Sequence, residues 1–420
     1  VIGLKDWQLN FQVNTEDLII LMKNKDIIVV GQQPWDTPIG SNCKDIALEF
    51  SKHNRVLYIN APLDRRTKFQ ESATEAVKKR IRVIDGKQDG LEQITPNLWV
   101  YYPDVVLESI NFIKWTALFR VFNKINNRRF AGSIRKAISS LGFSDFVLFN
   151  DSDMFRSYHL KELLKPSISI YYSRDNMIAT PYWGHHGKRL EPELIKKSDI
   201  CVANSVYLAN YCGQYNPNSF YVGQGCDLSA FRNDDSVQIP DDVQAIAKPI
   251  LGYVGALLSI RLDEAILLHL AEQRPAWSIV LVGPEDEDFK KSKLHHLKNV
   301  YFLGPRKPET LAAYIKSFDI CLNPQAVNPL TIGNYPRKID EYLAMGKPTI
   351  ATKTEAIGIF EAYVYIAKTK EAYVQLAEKA LAENSVELAK GRIAFAQTHT
   401  WQKNVEEIYE SVAKIYPTWS

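Results

Sequence analysis

From residue 26 to about residue 350 the chain alternates short, nearly unbroken apolar runs with longer stretches whose apolar residues recur every three or four positions. Ile27-Ile28-Val29-Val30 is the first run. The loop Gly31-Gln32-Gln33-Pro34-Trp35-Asp36 follows, then an amphipathic pattern over residues 42–52, then Arg55-Val56-Leu57-Tyr58-Ile59-Asn60. Runs at 98–102, 146–149, 168–172, 200–203 and 220–222 continue the series. Apolar strands separated by helices predict a parallel sheet covered on both faces.

The pattern then restarts. Residues 227–249 are polar, contain Pro240 and Pro249, and read as a linker. Beyond them lie apolar runs at 250–254, 278–282, 300–303, 320–322 and 348–351, with helical stretches between. Two successive βα arrays predict an α/β protein of two doubly wound, Rossmann-like domains facing a cleft, the first over 1–240 and the second over 241–395. Residues 372–416 keep helical periodicity without another strand. The last segment, 396–420, is expected to pack across the junction toward the first domain and to bury Trp401 and Trp419. Ligands of such sheets bind outside the carboxyl ends of the strands, so the loops there are where chemistry is to be sought.

At 420 residues, with 46% apolar and 24% charged side chains, the chain is too long for one core and too apolar for disorder. Fifty-one basic against 48 acidic residues leave +3, which argues against a nucleic-acid partner. No uncharged apolar run of about 18 residues is present. The charged start Val1-Ile2-Gly3-Leu4-Lys5-Asp6 lacks the apolar stretch of a signal peptide, and a cytoplasmic location is expected. Cys43, Cys201, Cys212, Cys226 and Cys321 are scattered and odd in number, so reduced thiols are expected rather than a disulfide framework or a metal cage.

The stretch Asn334-Tyr335-Pro336-Arg337-Lys338-Ile339-Asp340-Glu341-Tyr342-Leu343-Ala344-Met345-Gly346-Lys347-Pro348 is the richest in chemistry. Pro336 suits a first helical turn, and Gly346 with Pro348 forms a stop. Lys338, Glu341 and Tyr342 stand at i, i+3 and i+4 and share a face. A cation and a carboxylate in the opening turns can divide a nucleotide between them. The lysine and the helix N-terminus would meet a diphosphate, and the glutamate would accept hydrogen bonds from ribose hydroxyls. A solvated helix with an i, i+3 ion pair accounts for the same spacing.

Pro336 to Pro348, followed by Thr349-Ile350-Ala351-Thr352, resembles the donor-site signature of GT-B glycosyltransferases. The likeness is to the group 1 (family 4-like) bacterial enzymes, including teichuronic-acid and exopolysaccharide glycosyltransferases. Tyr253-Val254-Gly255-Ala256-Leu257, Val280-Leu281-Val282-Gly283-Pro284, Val300-Tyr301-Phe302-Leu303-Gly304 and Asp319-Ile320-Cys321-Leu322-Asn323-Pro324 follow in the family's order. Val29-Val30-Gly31 through Pro34-Trp35-Asp36 resembles its opening strand and acceptor-side loop, and Val222-Gly223-Gln224-Gly225-Cys226-Asp227 its interdomain turn. The resemblance covers most of the chain, although only the block from Lys338 to Pro348 is specific by itself. It implies a nucleotide diphosphate sugar as donor substrate, with no cofactor and no metal. Two departures stand out. The glutamate that many members carry eight residues before Glu341, where it contacts the transferred sugar, is Gly333 here, so the contacts to the sugar must differ. The usual Gly-Arg after the first donor-domain strand is Gly255-Ala256, which removes a phosphate cation that Arg261 or Arg337 could replace. The resemblance gives softer donor-binding roles to Glu285, Arg306 and Tyr335; an exposed loop residue explains each of them as well.

An inverting transfer needs a group that removes the acceptor proton. Ser173-Arg174-Asp175-Asn176 follows the strand at 168–172. Related exopolysaccharide enzymes carry an acid in this region, which makes Asp175 the candidate base; a turn or N-cap aspartate is the plain alternative. His185-His186, in a Gly-flanked loop, is a rival base or phosphate ligand, or surface decoration. Asp151-Ser152-Asp153 has the D-x-D form by which GT-A enzymes hold a divalent cation. The second βα array does not fit a simple GT-A domain, and Asp153 otherwise serves as a cap or a rival base.

Residues 110–141 combine Phe112, Ile113, Trp115, Leu118, Phe119 and Phe122 with Lys114, Arg120, Lys124, Arg128, Arg129, Arg135 and Lys136, and contain no acid. Such a face suits an anionic membrane surface, where lipid-linked acceptors are met. Two amphipathic helices packed on the sheet explain the aromatics equally but not the missing acids. The expected protein is therefore a metal-independent, cytoplasmic GT-B glycosyltransferase, peripheral on the inner face of the membrane. It would move a sugar from a nucleotide diphosphate sugar to a glycan or lipid-linked acceptor in cell-surface polysaccharide synthesis. A nucleotide-sugar 2-epimerase of the same fold and a non-catalytic, membrane-docked nucleotide-binding scaffold are the rival readings.

Overall fold

The structure, a computed structural model, describes residues 23–417 except 38–39, 72–73 and 235–236. The chain start and Trp419 lie outside the described residues. Most of the apolar runs become strands buried on both faces, those at 219–221 and 300–304 being only partly covered. In β1 (Asp26–Val30), Ile27, Ile28, Val29 and Val30 are all within 1% of complete burial, each worth about 1.5–3 kcal/mol. With β2 (Arg55–Ile59), β3 (Leu91–Thr95), β4 (Leu98–Tyr101), β5 (Val147–Asp151), β6 (Ile168–Ser173), β7 (Ile200–Ala203) and β8 (Ser219–Tyr221) it forms a sheet in the order β8-β7-β6-β5-β1-β2-β4-β3. Every pair is parallel except β3–β4, a hairpin at the edge. The sequence pattern misses β3 because Glu92 and Gln93 interrupt its apolar residues and its edge position leaves it largely solvated.

The second sheet contains β9 (Ile250–Val254), β10 (Ser278–Val282), β11 (Val300–Gly304), β12 (Ile320–Asn323), β13 (Thr349–Thr352) and β14 (Tyr365–Ala367), all parallel, in the order β11-β10-β9-β12-β13-β14. In each sheet the first strand is flanked by a strand from either direction of winding, which opens a crevice at its carboxyl end. The expected linker is partly folded onto this domain: Val243 and Ile246 pack with Ile250 and Phe318.

Six helices position the sites discussed below: α1 (Asn42–Phe50), α2 (Thr116–Leu141), α3 (Pro181–Lys197), α4 (Val206–Gly213), α5 (Arg337–Ala344) and α6 (Trp401–Ile415). Two expectations are corrected. The basic segment contains one 26-residue helix, α2, rather than two helices. His185 and His186 lie inside α3 rather than in a loop, because Thr180 caps that helix and Pro181 starts it ahead of the glycines.

The chain crosses the junction twice, near residues 223–227 and 399–401. After the second crossing α6 completes the core of the first domain. Val405, Ile408, Tyr409 and Val412 pack with Ile46 and Phe50 of α1. The Tyr409 ring stacks on Phe50 at 5.7 Å, and its hydroxyl accepts a 3.0 Å hydrogen bond from Asn54. Asn404 donates to the carbonyls of Val222 and Gly223, and Trp401 lies over Gly225, where a Cβ would stand 2.3 Å from the indole.

Candidate functional site

The placement of α5 follows from which of its residues are apolar. Ile339, Tyr342 and Leu343 are fully buried, and the Tyr342 hydroxyl accepts a 3.0 Å hydrogen bond from Val254 N at the end of β9. Asp340, also fully buried, binds His399 Nδ1 at 2.6 Å and accepts from Cys226 Sγ at 3.2 Å. Both crossing segments are thereby attached to the helix. The same rotation turns Arg337, Lys338 and Glu341 away from the core. Lys338 then runs along Gly255, whose φ of +141° is poorly suited to a side chain; a Cβ there would stand 2.1 Å from Lys338 Cε.

Lys338, Arg337 and Arg261 line a cleft of about 360 Å³ together with Tyr253, Asn323 and Tyr335. None of the three cationic side chains forms an ion pair or hydrogen bond with a described residue. Lys338 Nζ instead lies 5.8 Å from the Tyr253 ring centroid. The N-terminus of α5 has no side-chain cap, whereas α1, α3 and α6 are capped by Ser41, Thr180 and Thr400. An uncapped helix start beside three unpaired cations is a place for an anion. Glu341 completes the set. Burial raises its carboxyl above the usual range, and Lys338 and Arg337 pull it back.

Asp175, in the first domain, lies within electrostatic reach of Arg261 of this cleft. It follows β6, and Arg174 bridges it to Asp151 at the end of β5. Arg174 Nε lies 2.7 Å from Asp151, and Nη1 lies 3.0 Å from Asp175. Burial raises the Asp175 carboxyl, with Arg174 and then Arg261 opposing that shift. Asn176 donates to the Pro329 carbonyl at 2.7 Å, tying this loop to the second domain. Of the candidate donor cations, Arg261 is the one whose charge acts on Asp175.

Other candidates fall elsewhere. Asp153 is closed by Arg156 at 2.7 Å and by the backbone N–H groups of Phe155 and Arg156, and Asp151 is closed by Arg174. The D-x-D carboxylates are therefore already neutralised, and no group of three or more possible metal ligands exists among the described residues. His186 is buried, stacks on Phe119 and bonds the Ile113 carbonyl; burial lowers its pKa to about 4. His185 is exposed beside it on α3. Glu285 pairs with His295 at 2.8 Å, and Arg306 pairs with Asp242 and lies over Tyr314; neither lines the cleft. Tyr335 does, with its hydroxyl 3.2 Å from His399 Nδ1.

Acids absent from residues 110–141 come from other segments. Glu193 pairs with Arg120, Glu108 with Arg129 and Asp104 with Lys136, while Arg135 donates to the Leu163 carbonyl. Lys114, Lys124 and Arg128 remain exposed without an ion pair among the described residues. Phe112 and Trp115 are each 77% exposed, and Leu118 and Val121 are exposed beside them. Phe112 also edges a groove of about 690 Å³ lined by Gln32, Asn111, Arg156, Tyr182 and Trp183.

Sequence reasoning missed Asp45, in the first turn of α1. Burial raises its carboxyl to about 6; Arg337 lowers it and Asp227 raises it further. An aspartate after an N-cap serine reads as routine helix chemistry, and only the fold sets it opposite Arg337.

Residues 248–390 match the family described as glycosyl transferases group 1. A Bacillus subtilis (strain 168) protein named for teichuronic acid biosynthesis, the glycosyltransferase TuaH by assignment, is 25% identical over 225 residues. That likeness covers 51% of this chain and 56% of the relative, just over half its length. Among solved structures, sucrose-phosphate synthase from Thermosynechococcus elongatus superposes with a TM-score of 0.63 at 13% identity, over 94% of this chain and 100% of that one. Anabaena HepE in complex with UDP and glucose gives 0.61 at 15%, over 93% and 100%. The trehalose 6-phosphate synthase from Burkholderia multivorans gives 0.65 at 9%, over 95% and 100%. These structural likenesses establish the two-domain GT-B fold.

The Asp45 environment makes a test of pH dependence. A carboxyl raised in the folded state favours folding below its unfolded pKa, and that contribution is lost as pH rises through about 6. Asp45→Asn is expected to gain on the order of 1 kcal/mol relative to the parent between pH 4.5 and 7.5, after discounting for solvent screening. Urea denaturation at both pH values checks this; an unchanged difference between variant and parent contradicts it.

Proposed function

We propose, for a chain whose residues 248–390 belong to the group 1 glycosyl transferases and whose fold is GT-B, that it transfers a sugar from a nucleotide diphosphate sugar to a glycan or lipid-linked acceptor at an anionic membrane surface. The observation that supports this best is the convergence of Arg261, Arg337, Lys338 and an uncapped helix start on one cleft, with Arg261 within electrostatic reach of Asp175. The cations stabilise the diphosphate as it leaves the anomeric carbon, and Glu341 accepts from the ribose hydroxyls. In an inverting reaction Asp175 takes the acceptor hydroxyl proton while the acceptor oxygen bonds the anomeric carbon and the bond to the diphosphate breaks. Its raised carboxyl suits it to hold that proton. Because the leaving charge meets fixed cations, the reaction needs no divalent ion.

The 690 Å³ groove in the first domain, lined by residues between Gln32 and Trp183, offers room for a second substrate and favours a transferase over an epimerase, which needs none. A teichuronic-acid relative supports a cell-surface polymer as product, and UDP in a solved neighbour makes uridine nucleotides the first donors to try. Phe112 at the groove mouth adjoins Trp115, Leu118 and Val121, with Lys114, Lys124 and Arg128 as the free cations. This face fits the interface of an anionic bilayer, with a lipid-linked acceptor entering the groove from it. No helix among the described residues is long and apolar enough to cross a membrane.

Lys338→Ala is expected to weaken nucleotide-sugar binding by about 1.5–3 kcal/mol. Unchanged affinity by calorimetry with the fold intact removes the diphosphate role. Asp175→Asn is expected to lower turnover roughly 10²–10⁴-fold with donor affinity preserved, and EDTA should leave parent turnover unchanged; near-parent turnover of the variant excludes Asp175 as base. Replacing Trp115 by Ser together with Lys124→Glu and Arg128→Glu should abolish cosedimentation with anionic phosphatidylglycerol vesicles. Sedimentation equal to the parent's overturns the membrane assignment.

A further inference from the structure

We propose that Asn323 and Asn334 bind the hydroxyls of the transferred sugar and thereby set which donor is accepted. The proposal rests on the donor-cleft reading and gives that cleft a ligand of defined chemistry: an uncharged, polyhydroxylated ring on a nucleoside diphosphate.

Position 333 cannot supply the sugar contact. Gly333 is buried at the domain junction, where its carbonyl accepts a 2.7 Å hydrogen bond from Ser205 Oγ at the start of α4. A Cβ there would stand 2.3 Å from the Tyr207 ring. No acidic side chain fits without moving α4 away, so recognition has to come from neighbouring residues.

Two carboxamides in the same cleft have no partner to occupy them. Asn323 ends β12, the strand beside β9, so it sits in the crevice next to Gly255. It is 7% exposed, and its Nδ2 is buried without a hydrogen bond. Asn334 follows Gly333, and its Oδ1 is likewise buried and unpartnered. Both residues line the cleft with Arg261 and Lys338. Gln325, between them in sequence, directs one of its two amide N–H groups to the Thr331 carbonyl. A buried polar group left unpaired is costly and calls for a partner.

The chemistry of the two orphans narrows that partner to a group that both donates and accepts. One is a donor and the other an acceptor. A diphosphate offers only acceptor oxygens and cannot satisfy Asn334 Oδ1, whereas a sugar hydroxyl both donates and accepts. Their location agrees. Ala326 N donates to the Arg261 carbonyl, and Asn176 reaches Pro329, which sets residues 323–334 between the cation cluster and Asp175. The ring undergoing transfer has to occupy that interval. A ring hydroxyl that loses its amide partner leaves a buried group unpaired, so the discrimination is by hydrogen-bond complementarity rather than by charge.

The test compares a free nucleoside diphosphate with its sugar conjugate, using UDP with UDP-glucose and GDP with GDP-mannose, by calorimetry on the parent, Asn323→Ala, Asn334→Ala and the isosteric Asn323→Asp. For the pair the parent binds, each asparagine variant is expected to weaken the sugar conjugate at least fivefold and to leave the free diphosphate within twofold. Lys338→Ala should weaken both. Equal effects of the asparagine changes on both members of the pair, or no effect on either, overturn the proposal while leaving the cation cleft standing. A Lys338→Ala protein that binds both members normally, beside selective asparagine variants, defeats the diphosphate assignment alone. A parent that binds neither pair defeats both.

Discussion

A single buried carboxylate holds the arrangement together. Asp340 reaches His399 on one crossing segment and Cys226 on the other, from within the helix that presents Arg337, Lys338 and Glu341. The domain junction and the donor cleft are therefore parts of one object. On the far side of the helix the Tyr342 hydroxyl fixes its distance from β9. With Asp340 and Tyr342 of α5 committed in this way, Arg337 and Lys338 are left to line the cleft. Breaking a buried hydrogen-bonded pair of this kind costs more than the pair contributes, because the remaining group is left without water or partner.

Charge alternates across the cleft. Asp45 feels the charges of Arg337 and Asp227, Glu341 those of Lys338 and Arg337, and Asp175 those of Arg174 and Arg261. Arg261, Arg337 and Lys338 are not closed into an ion pair with any described residue. Elsewhere, carboxylates such as Asp151, Asp153, Glu108 and Asp104 are each taken by a guanidinium or ammonium group. That contrast separates a site from a scaffold better than the number of charges does. A pair that satisfies itself gains from staying shut, whereas an unpaired cation beside an open helix terminus gains only when an anion arrives.

The inner strands of both sheets and the signature helix were legible in the sequence because burial on both faces leaves an unambiguous apolar run, and because Pro336 and Gly346 bracket one short amphipathic helix; the edge strands at 91–95 and 365–367 were not. Lys338 and Arg261 could be named from position, and the fold does set them in one cleft. What the sequence hid depends on partners far along the chain. Nothing local to Glu285 or Arg306 indicates that His295 and Asp242 occupy them. The unbroken basic run in residues 110–141 looked like a large positive face only because Glu108, Asp104 and Glu193 lie outside it. The His185-His186 pair was misplaced for a different reason: two glycines argue for a loop, but Thr180 and Pro181 start a helix strongly enough to carry it through both.

The return of α6 has a bearing on how the protein is made. The first sheet is built from residues 26–221, yet Val405, Ile408, Tyr409 and Val412 close its core over α1. A ribosome must therefore deliver the second sheet before the first can be sealed. Until then, the apolar side of α1 lies open to solvent. The half of the chain that emerges earliest therefore waits for the last helix to complete its core.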